Sequence, residues 1–385
     1  MPNAAASSPD PASHSASSYP CLPVPSVVNP TAPAASPHIL LIRRRYLGDI
    51  VLLGSVVRNL RLHWPAARLT VLTEAAYAGV VPLNPEIDAA LAFPRGAAGW
   101  PAFLAALRRG RFTHVLDFDN TEKTAIVTRL TGAAVRATFD RELIVHRYGW
   151  LYTHAAKVAN AFYDSHHVTD TYLALPAAIG VPIVSREIRL VPLAADVAVA
   201  QRLAGGARTD SAHRPRRLLV HPGSRSAHRI WPAERFAAVC DRLQDETGAQ
   251  VFVTAGPSEL PLVEEIRRHA RSHLVAVPPA ASVTAFAALA AQFDAFLCHD
   301  SGPMHVAAGV GTPVVALFSS QNAVIWRPVG AHHTVLQTTS PCACFPAGTL
   351  PAACVPGDSY RSYCVRQLTV DHVFAAARAA LLGRP

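Results

Sequence analysis

Cys298-His299-Asp300-Ser301-Gly302-Pro303-Met304-His305 is the stretch from which the fold can be read. The apolar residues Ala295–Cys298 before it suit a buried strand, which ends at Asp300, and a Ser-Gly-Pro turn then opens a helix over Pro303–Ala308. Pro303 fits the first helical position, where no amide hydrogen is needed. The apolar run Val306–Phe318 contains Gly309, Gly311 and Pro313, so it reads as helix, turn and strand. A strand end that meets a helix start in this way offers free amides and a positive dipole end to an anion such as a diphosphate. His305, on the first turn, can hydrogen-bond a phosphate. The plainer reading is an N-capped helix with Asp300 or Ser301 as the cap, and the loop taken alone favours it.

The same alternation extends on both sides. Upstream it gives strand Arg217–His221, helix Pro232–Glu246, strand Gln250–Thr254, helix Leu260–Ala270, strand Leu274–Val277 and helix Val283–Gln292; downstream lie strand Pro313–Phe318 and an amphipathic helix Thr369–Leu382. A second series opens at His38: strand His38–Ile42, loop Arg43–Asp49, helix Ile50–Leu62 stopped by Trp64-Pro65, and β-rich runs Arg68–Leu72 and Ala89–Phe93. Helix Trp100–Arg109, strand His114–Phe118 and helix Glu122–Leu130 follow. The fold class is therefore α/β, as two consecutive parallel-sheet domains with a cleft between them. Periodicity fades over Ser185–Pro215, which holds Gly205-Gly206. The expected organisation is an Ala/Ser/Pro-rich disordered arm over 1–37, a first domain over 38–195, a linker over 196–215, a second domain over 216–368 and a closing helix over 369–385.

Composition agrees. Of 385 residues half are hydrophobic and only 16% are charged, which excludes a largely disordered or fibrous chain and is enough for about two to three domains. The net charge is +9, carried almost wholly by arginine: the lysines are Lys123 and Lys157. Such a balance suggests an anionic partner. The arm lacks a basic segment followed by an apolar one, and no stretch has about 18 uninterrupted apolar residues, so the expectation is a cytoplasmic protein without a membrane span. Seven cysteines, with Cys21, Cys240 and Cys298 scattered, argue against a disulfide scaffold.

Three further loops resemble the first. His221-Pro222-Gly223-Ser224-Arg225-Ser226, followed by Arg229-Ile230-Trp231-Pro232, offers hydroxyls, a glycine backbone and two arginines to a pyrophosphate. Its plainer reading is a glycine turn with solvated arginines. In Gly256-Pro257-Ser258-Glu259 a carboxylate near a strand end can take ribose hydroxyls, or else stabilise a helix start. Arg45-Tyr46-Leu47-Gly48-Asp49 follows the opening strand, and Asp49 is either a general base for an incoming hydroxyl or a helix N-cap. Three such loops at strand ends of one domain converge on one sheet edge.

With these loops in view the chain, from about His38 to Leu382, resembles the ADP-heptose:lipopolysaccharide heptosyltransferases of glycosyltransferase family 9. The resemblance rests on Arg45-x-x-Gly48-Asp49, the His-Pro-Gly-Ser loop with Trp231-Pro232, the Gly256–Glu259 turn, and Asp300–His305 leading to Gly311-Thr312-Pro313. It implies a GT-B fold of two Rossmann-like domains, with an ADP-sugar donor on the second. It further implies an inverting, metal-independent transfer of heptose to an inner-core hydroxyl of lipopolysaccharide, at the inner face of the membrane and with no nucleic acid as partner. Carried over by position, Asp49 is the catalytic base, and Ser224, Arg225, Arg229, Glu259, Asp300, Ser301, Gly302 and His305 bind the donor. Arg229 stands where relatives often have a phosphate-binding lysine, which keeps the charge and alters the donor geometry. Arg43, Arg44, Lys123, Arg136, Arg141 and Arg147 are candidates for an anionic acceptor, against the alternative of a solvated basic face.

Some motifs point elsewhere. Asp117-Phe118-Asp119-Asn120-Thr121 reads as D-x-D-x-T, the nucleophile loop of haloacid-dehalogenase-type phosphatases, and contains the D-x-D of metal-dependent glycosyltransferases. A nucleotide-sugar-binding protein without catalysis is another alternative. Cys342, Cys344, Cys354 and Cys364 could hold zinc but lack C-x-x-C spacing, so a reduced-thiol loop is expected. His166 and His167 suit interdomain hydrogen bonding, and Trp326 either walls a pocket or packs in the core.

Overall fold

The computed structural model describes residues 36–142, 148–208, 214–225, 229–319, 321–338 and 364–383. The arm apart from its last residues, Arg147, and the cysteines at 342, 344 and 354 lie outside the described residues. From Ser36 onward the chain forms one compact unit.

That unit is built on two parallel sheets. The first contains β1 (His38–Ile42), β2 (Arg68–Glu74), β3 (Ala89–Phe93), β4 (His114–Asp117), β5 (Val135–Arg141) and β6 (His154–Val158), in the order β3-β2-β1-β4-β5-β6. The second contains β7 (Arg217–His221), β8 (Gln250–Val253), β9 (Val275–Ala276), β10 (Ala295–His299), β11 (Val314–Phe318) and β12 (Thr334–Gln337), in the order β12-β11-β10-β7-β8-β9. Counted from its own first strand, each sheet has the doubly wound order 3-2-1-4-5-6. The central strands are apolar without alternation because helices cover both faces. In β1, Ile39 and Leu41 join one buried cluster, while Leu40 and Ile42 face Phe103 and Leu107 on the other side.

β5, β6 and β12 were not among the strands expected from sequence. β5 is visible in retrospect in Val135-Arg136-Ala137-Thr138-Phe139, a β-prone run interrupted by charge. The expected helix Ile50–Leu62 is two helices, Leu47–Leu52 and Gly54–His63. The stretch 196–215 read as a linker is helical at its start, since helix Ala194–Leu203 packs against helix Val283–Ala290 of the second sheet. The preceding extended segment runs between the two halves: Leu190 N donates to Gly309 O at 2.8 Å and Val191 N to Leu83 O at 2.7 Å. One buried cluster continues from Ile39 and Val56 of the first half through Leu190 to Val306 and Phe296 of the second. Among the described residues no helix is long and apolar enough to cross a membrane.

Candidate active site

In the 3-2-1-4-5-6 order the chain winds outward in opposite directions from the first and fourth strands, which leaves a crevice beyond their carboxyl ends. In the first sheet those strands are β1 and β4, followed by the Arg43–Asp49 loop and the Asp117–Thr121 loop. In the second they are β7 and β10, followed by His221–Arg225 and Asp300–His305. The motifs singled out in the sequence therefore stand at the two switch points.

The switch points touch. Helix Leu47–Leu52 packs against helix Gly302–Gly309, and a glycine from each side permits the approach. A β-carbon built on Gly48 would lie 2.6 Å from His305 Cδ2, and one on Gly302 would lie 2.9 Å from Leu47 Cδ2. Two bonds fasten the halves nearby: the His167 ring Nε2 is 2.7 Å from Arg327 O, and Asn322 Nδ2 donates to Asp164 O at 3.1 Å. Thr169 N donates to His167 Nδ1, so the proton sits on Nε2 and His167 donates to Arg327 O. His167 thus makes the bond across the halves expected of the pair, whereas His166 is exposed and stacks on Phe162.

Asp49 lies at this contact, 8% exposed. It is the third residue of its helix and not the N-cap; Tyr46 is the cap, and Tyr46 N donates back to Asp49 Oδ2 at 3.1 Å. Asp49 Oδ1 takes an ion-paired hydrogen bond from Arg43 Nη2 and another from Tyr172 Oη at 2.7 Å. Arg43 also donates to Phe118 O at 3.0 Å and to Asp119 Oδ1 at 3.4 Å. Burial opposes its charge, but Tyr172, Asp49 and Asp119 outweigh that and push its pKa up. Arg43 therefore faces the Asp49 carboxylate.

On the opposite side, Arg229 Nη1 is 3.7 Å from Asp300 Oδ2, and the Arg225 guanidinium lies 4.5 Å from the Tyr46 ring centroid. Burial raises the Asp300 carboxyl to about 6, with Arg229 and Arg225 holding it from rising further and the negative charge of Asp49 adding to the rise. Burial lowers His305 to about 4, so its imidazole is neutral at physiological pH and able to donate or accept a single hydrogen bond to a phosphate. Ser301 Oγ donates to His299 O at 3.3 Å and caps no amide; in the first turn of helix Gly302–Gly309 Pro303 has no amide hydrogen and Met304 N donates to Ser301 O at 3.1 Å, which leaves Gly302 N and the positive dipole end to face an anion. Glu259 accepts from Gly256 N at 2.9 Å, with its carboxylate against Gly223 and 3.8 Å from His221 Nε2. Ser224 lies on the same loop as Gly223. All eight donor-side residues from the sequence thus border the carboxyl ends of β7, β8 and β10.

The acceptor candidates scatter. Arg44 is committed to Glu74 at 2.8 Å and stacks over Phe93. Arg136 stands near the start of β5 and donates to Leu151 O and Ala133 O, at the far edge of the sheet from the cleft. Lys123 is exposed on the first turn of helix Glu122–Leu130. Arg141, the last residue of β5, lies at the cleft edge with its guanidinium 4.0 Å from the Tyr163 ring centroid; its Nε has no hydrogen-bond partner among the described residues.

Asp117 is not a nucleophile awaiting phosphorus. It is fully buried and accepts from Tyr152 Oη at 2.6 Å, Asp119 N at 3.0 Å and Asn120 N at 3.2 Å. Asp119 accepts from Arg44 N at 3.1 Å as well as from Arg43, and burial pushes its carboxyl up to about 6. The D-x-D-x-T stretch is a turn that anchors arginines. Trp326 packs against the main buried cluster.

Residues 100–349, which hold the second-half loops of this cleft but not Asp49, match by sequence the family described as glycosyltransferase family 9 (heptosyltransferase). The chain is a member of glycosyltransferase family 9. It is 27% identical over 300 residues to lipopolysaccharide heptosyltransferase 3 of Escherichia coli K12, a match that spans 74% of this chain and 83% of that one. A solved family 9 glycosyltransferase from Veillonella parvula superimposes with a TM-score of 0.74 at 22% identity, over 90% of this chain and 97% of the other. The E. coli ADP-heptose lipopolysaccharide heptosyltransferase II gives a TM-score of 0.70 at 21% identity, over 90% and 98%. These superpositions establish the GT-B fold that the resemblance implied.

Sequence reading missed one residue in this glycosyltransferase that touches Asp49. Tyr172 is 123 residues away along the chain, on helix Val168–Ala178, and no local pattern marks it. Its one sequence cue is that it follows His166-His167, which suit interdomain hydrogen bonding.

Proposed function

We propose that this glycosyltransferase moves a heptose from ADP-heptose to a hydroxyl of the lipopolysaccharide inner core, with inversion and without a metal. The names of its relatives support this donor and acceptor. The observation that carries the mechanism is the Gly48–His305 approach, which sets the Asp49 carboxylate beside the helix start that suits the donor diphosphate. In the reaction Asp49 takes the proton from the acceptor hydroxyl as that oxygen bonds to the anomeric carbon. The bond from that carbon to the diphosphate oxygen breaks, and its electron pair leaves with ADP. The growing negative charge on ADP is met by Arg229, Arg225, Ser224 and the positive helix end at Gly302, with His305 as a hydrogen-bond partner, dipoles and cations already in place before the step. Glu259 takes the ribose hydroxyls, and Asp300 the sugar or, protonated, a phosphate oxygen. Arg141, half-buried at the cleft edge of the first half, faces the anionic glycolipid at the inner face of the membrane.

The test has two arms. Mass spectrometry of lipopolysaccharide from a deletion strain should show the loss of one heptose; an unchanged glycoform overturns the substrate assignment. Purified Asp49→Asn should bind ADP as the native enzyme does and lose transfer by at least about a thousandfold, in the range of a removed general base; near-native turnover overturns the base assignment.

A further inference from the structure

Asp49 is more closely held than a lone base requires. Oδ1 receives two donors, the Arg43 guanidinium and the Tyr172 hydroxyl. Oδ2 receives only Tyr46 N, among the described residues, and keeps a lone pair. Tyr172 is 4% exposed, and burial keeps its hydroxyl protonated far above the ordinary phenol range, so it acts as a donor throughout the working pH range. Arg43 cannot drift, because Asp119 and Phe118 O hold its other nitrogen. Asp119 is held in turn by the turn whose amides Asp117 accepts.

Resting on the reading of Asp49 as the base, we propose that Tyr172 and Arg43 are positioning residues that together occupy Oδ1, so that Oδ2 is the atom that takes the acceptor proton. Their donors orient the carboxylate plane and fix which oxygen faces the cleft. The acidic D-x-D turn then has its role: Asp119 fixes Arg43, and Asp117 fixes Asp119. When the proton arrives on Oδ2 the carboxylate loses its charge, and the bonds to Oδ1 weaken without breaking the scaffold. Other titrating groups face Asp49. Tyr163 lies on helix Asn160–Ser165 of the same half, and His305 and Asp300 lie across the cleft. His305 is neutral above about pH 4, and Asp300 is pushed up to about 6, in part by the charge of Asp49, so a difference between native enzyme and variant reports on the coupled Asp49–Asp300 pair.

The experiment compares the pH profile of kcat for native enzyme and Tyr172→Phe, with ADP-heptose and acceptor both saturating. Tyr172→Phe removes a donor that favours the ionised carboxylate, so its acid limb should move to higher pH. At neutral pH kcat should fall about tenfold from misorientation, with the donor KM within about twofold. Arg43→Met should move the limb further than Arg43→Lys, which restores a cation but not the planar bridge to Asp119. Asp119→Asn, which touches neither Asp49 nor the donor loops, should move it in the same direction by less. ADP binding by calorimetry verifies that each variant is folded. An unmoved acid limb in folded Tyr172→Phe overturns the proposal. If that variant does not fold, an unmoved limb in Asp119→Asn and Arg43→Lys overturns it equally. Activity surviving in Asp49→Asn would sink the base reading instead, so the two failures are distinct.

Discussion

Gly48→Ala adds one methyl group where the two halves meet. Its β-carbon would stand 2.6 Å from His305 Cδ2 and 3.3 Å from Nε2. Non-bonded carbons rest at about 3.5–4.0 Å, so the new atom is roughly 1 Å too close. The His305 ring is 6% exposed and cannot swing into solvent. Gly48 has no left-handed backbone angle, so alanine costs nothing in the backbone itself and the whole effect is steric. If the helices keep their positions the overpacking costs about 1–3 kcal/mol of stability. If they separate by about 1 Å to relieve it, Asp49 retreats from the donor, and a misplacement of that size costs on the order of a hundredfold in rate. The two measurements are a thermal melt and kcat at saturating donor and acceptor. The expected result is a lowered melting temperature, a loss of turnover between tenfold and several hundredfold, or both. Native values in both measurements would refute the close approach and, with it, the argument that this contact sets the base beside the diphosphate site.

Two other outcomes follow from the geometry. Asp300 in the folded protein has its pKa raised to about 6, so the native state binds that proton more tightly than the unfolded chain; the stabilisation this brings is complete below the ordinary carboxylate range near 3.8 and is lost as pH rises through about 6. Asp300→Asn should therefore raise the melting temperature of the ligand-free enzyme at pH 7.5, the gain should vanish near pH 4, and melts across that range would detect it. Arg141→Ala should raise the acceptor KM about tenfold with the donor KM unchanged, because Arg141 lies at the cleft edge with a free Nε; Lys123→Ala, at an exposed helix start, should stay within about twofold.

Much of this site was legible because its chemistry is local. A strand that ends in Asp300-Ser301-Gly302-Pro303 states where a helix begins and where amides are left free, and that is settled within a few residues. Glu259 and Ser224 were legible for the same reason. The arginines were not. Arg43, Arg44, Arg136 and Arg141 look alike in sequence, yet one is paired to Asp49, one is paired to Glu74, one is bonded at the far edge of its sheet, and one is stacked at the cleft. A long cationic side chain takes its role from whichever carboxylate or carbonyl the fold brings within reach. The D-x-D-x-T stretch stayed open to a second reading on the same ground: a short acidic motif is defined by what faces it, and here arginine faces Asp119 while a tyrosine and backbone amides fill Asp117.

The sequence by itself determined that strands and helices alternate in two series, that glycine- and hydroxyl-rich loops stand at the ends of particular strands, and that Asp49 follows the first of them. These are consequences of hydrophobic period and turn chemistry, which act over a few residues. Only the tertiary structure decided that both sheets share one strand order, so that the loops after the first and fourth strands of each become neighbours, and that Gly48 and Gly302 let those neighbours meet. It alone brought Tyr172 across 123 residues to Asp49. Strand order and long-range contact are fixed by which apolar faces bury one another across the whole chain, and that competition leaves no local mark on the residues whose chemistry it brings together.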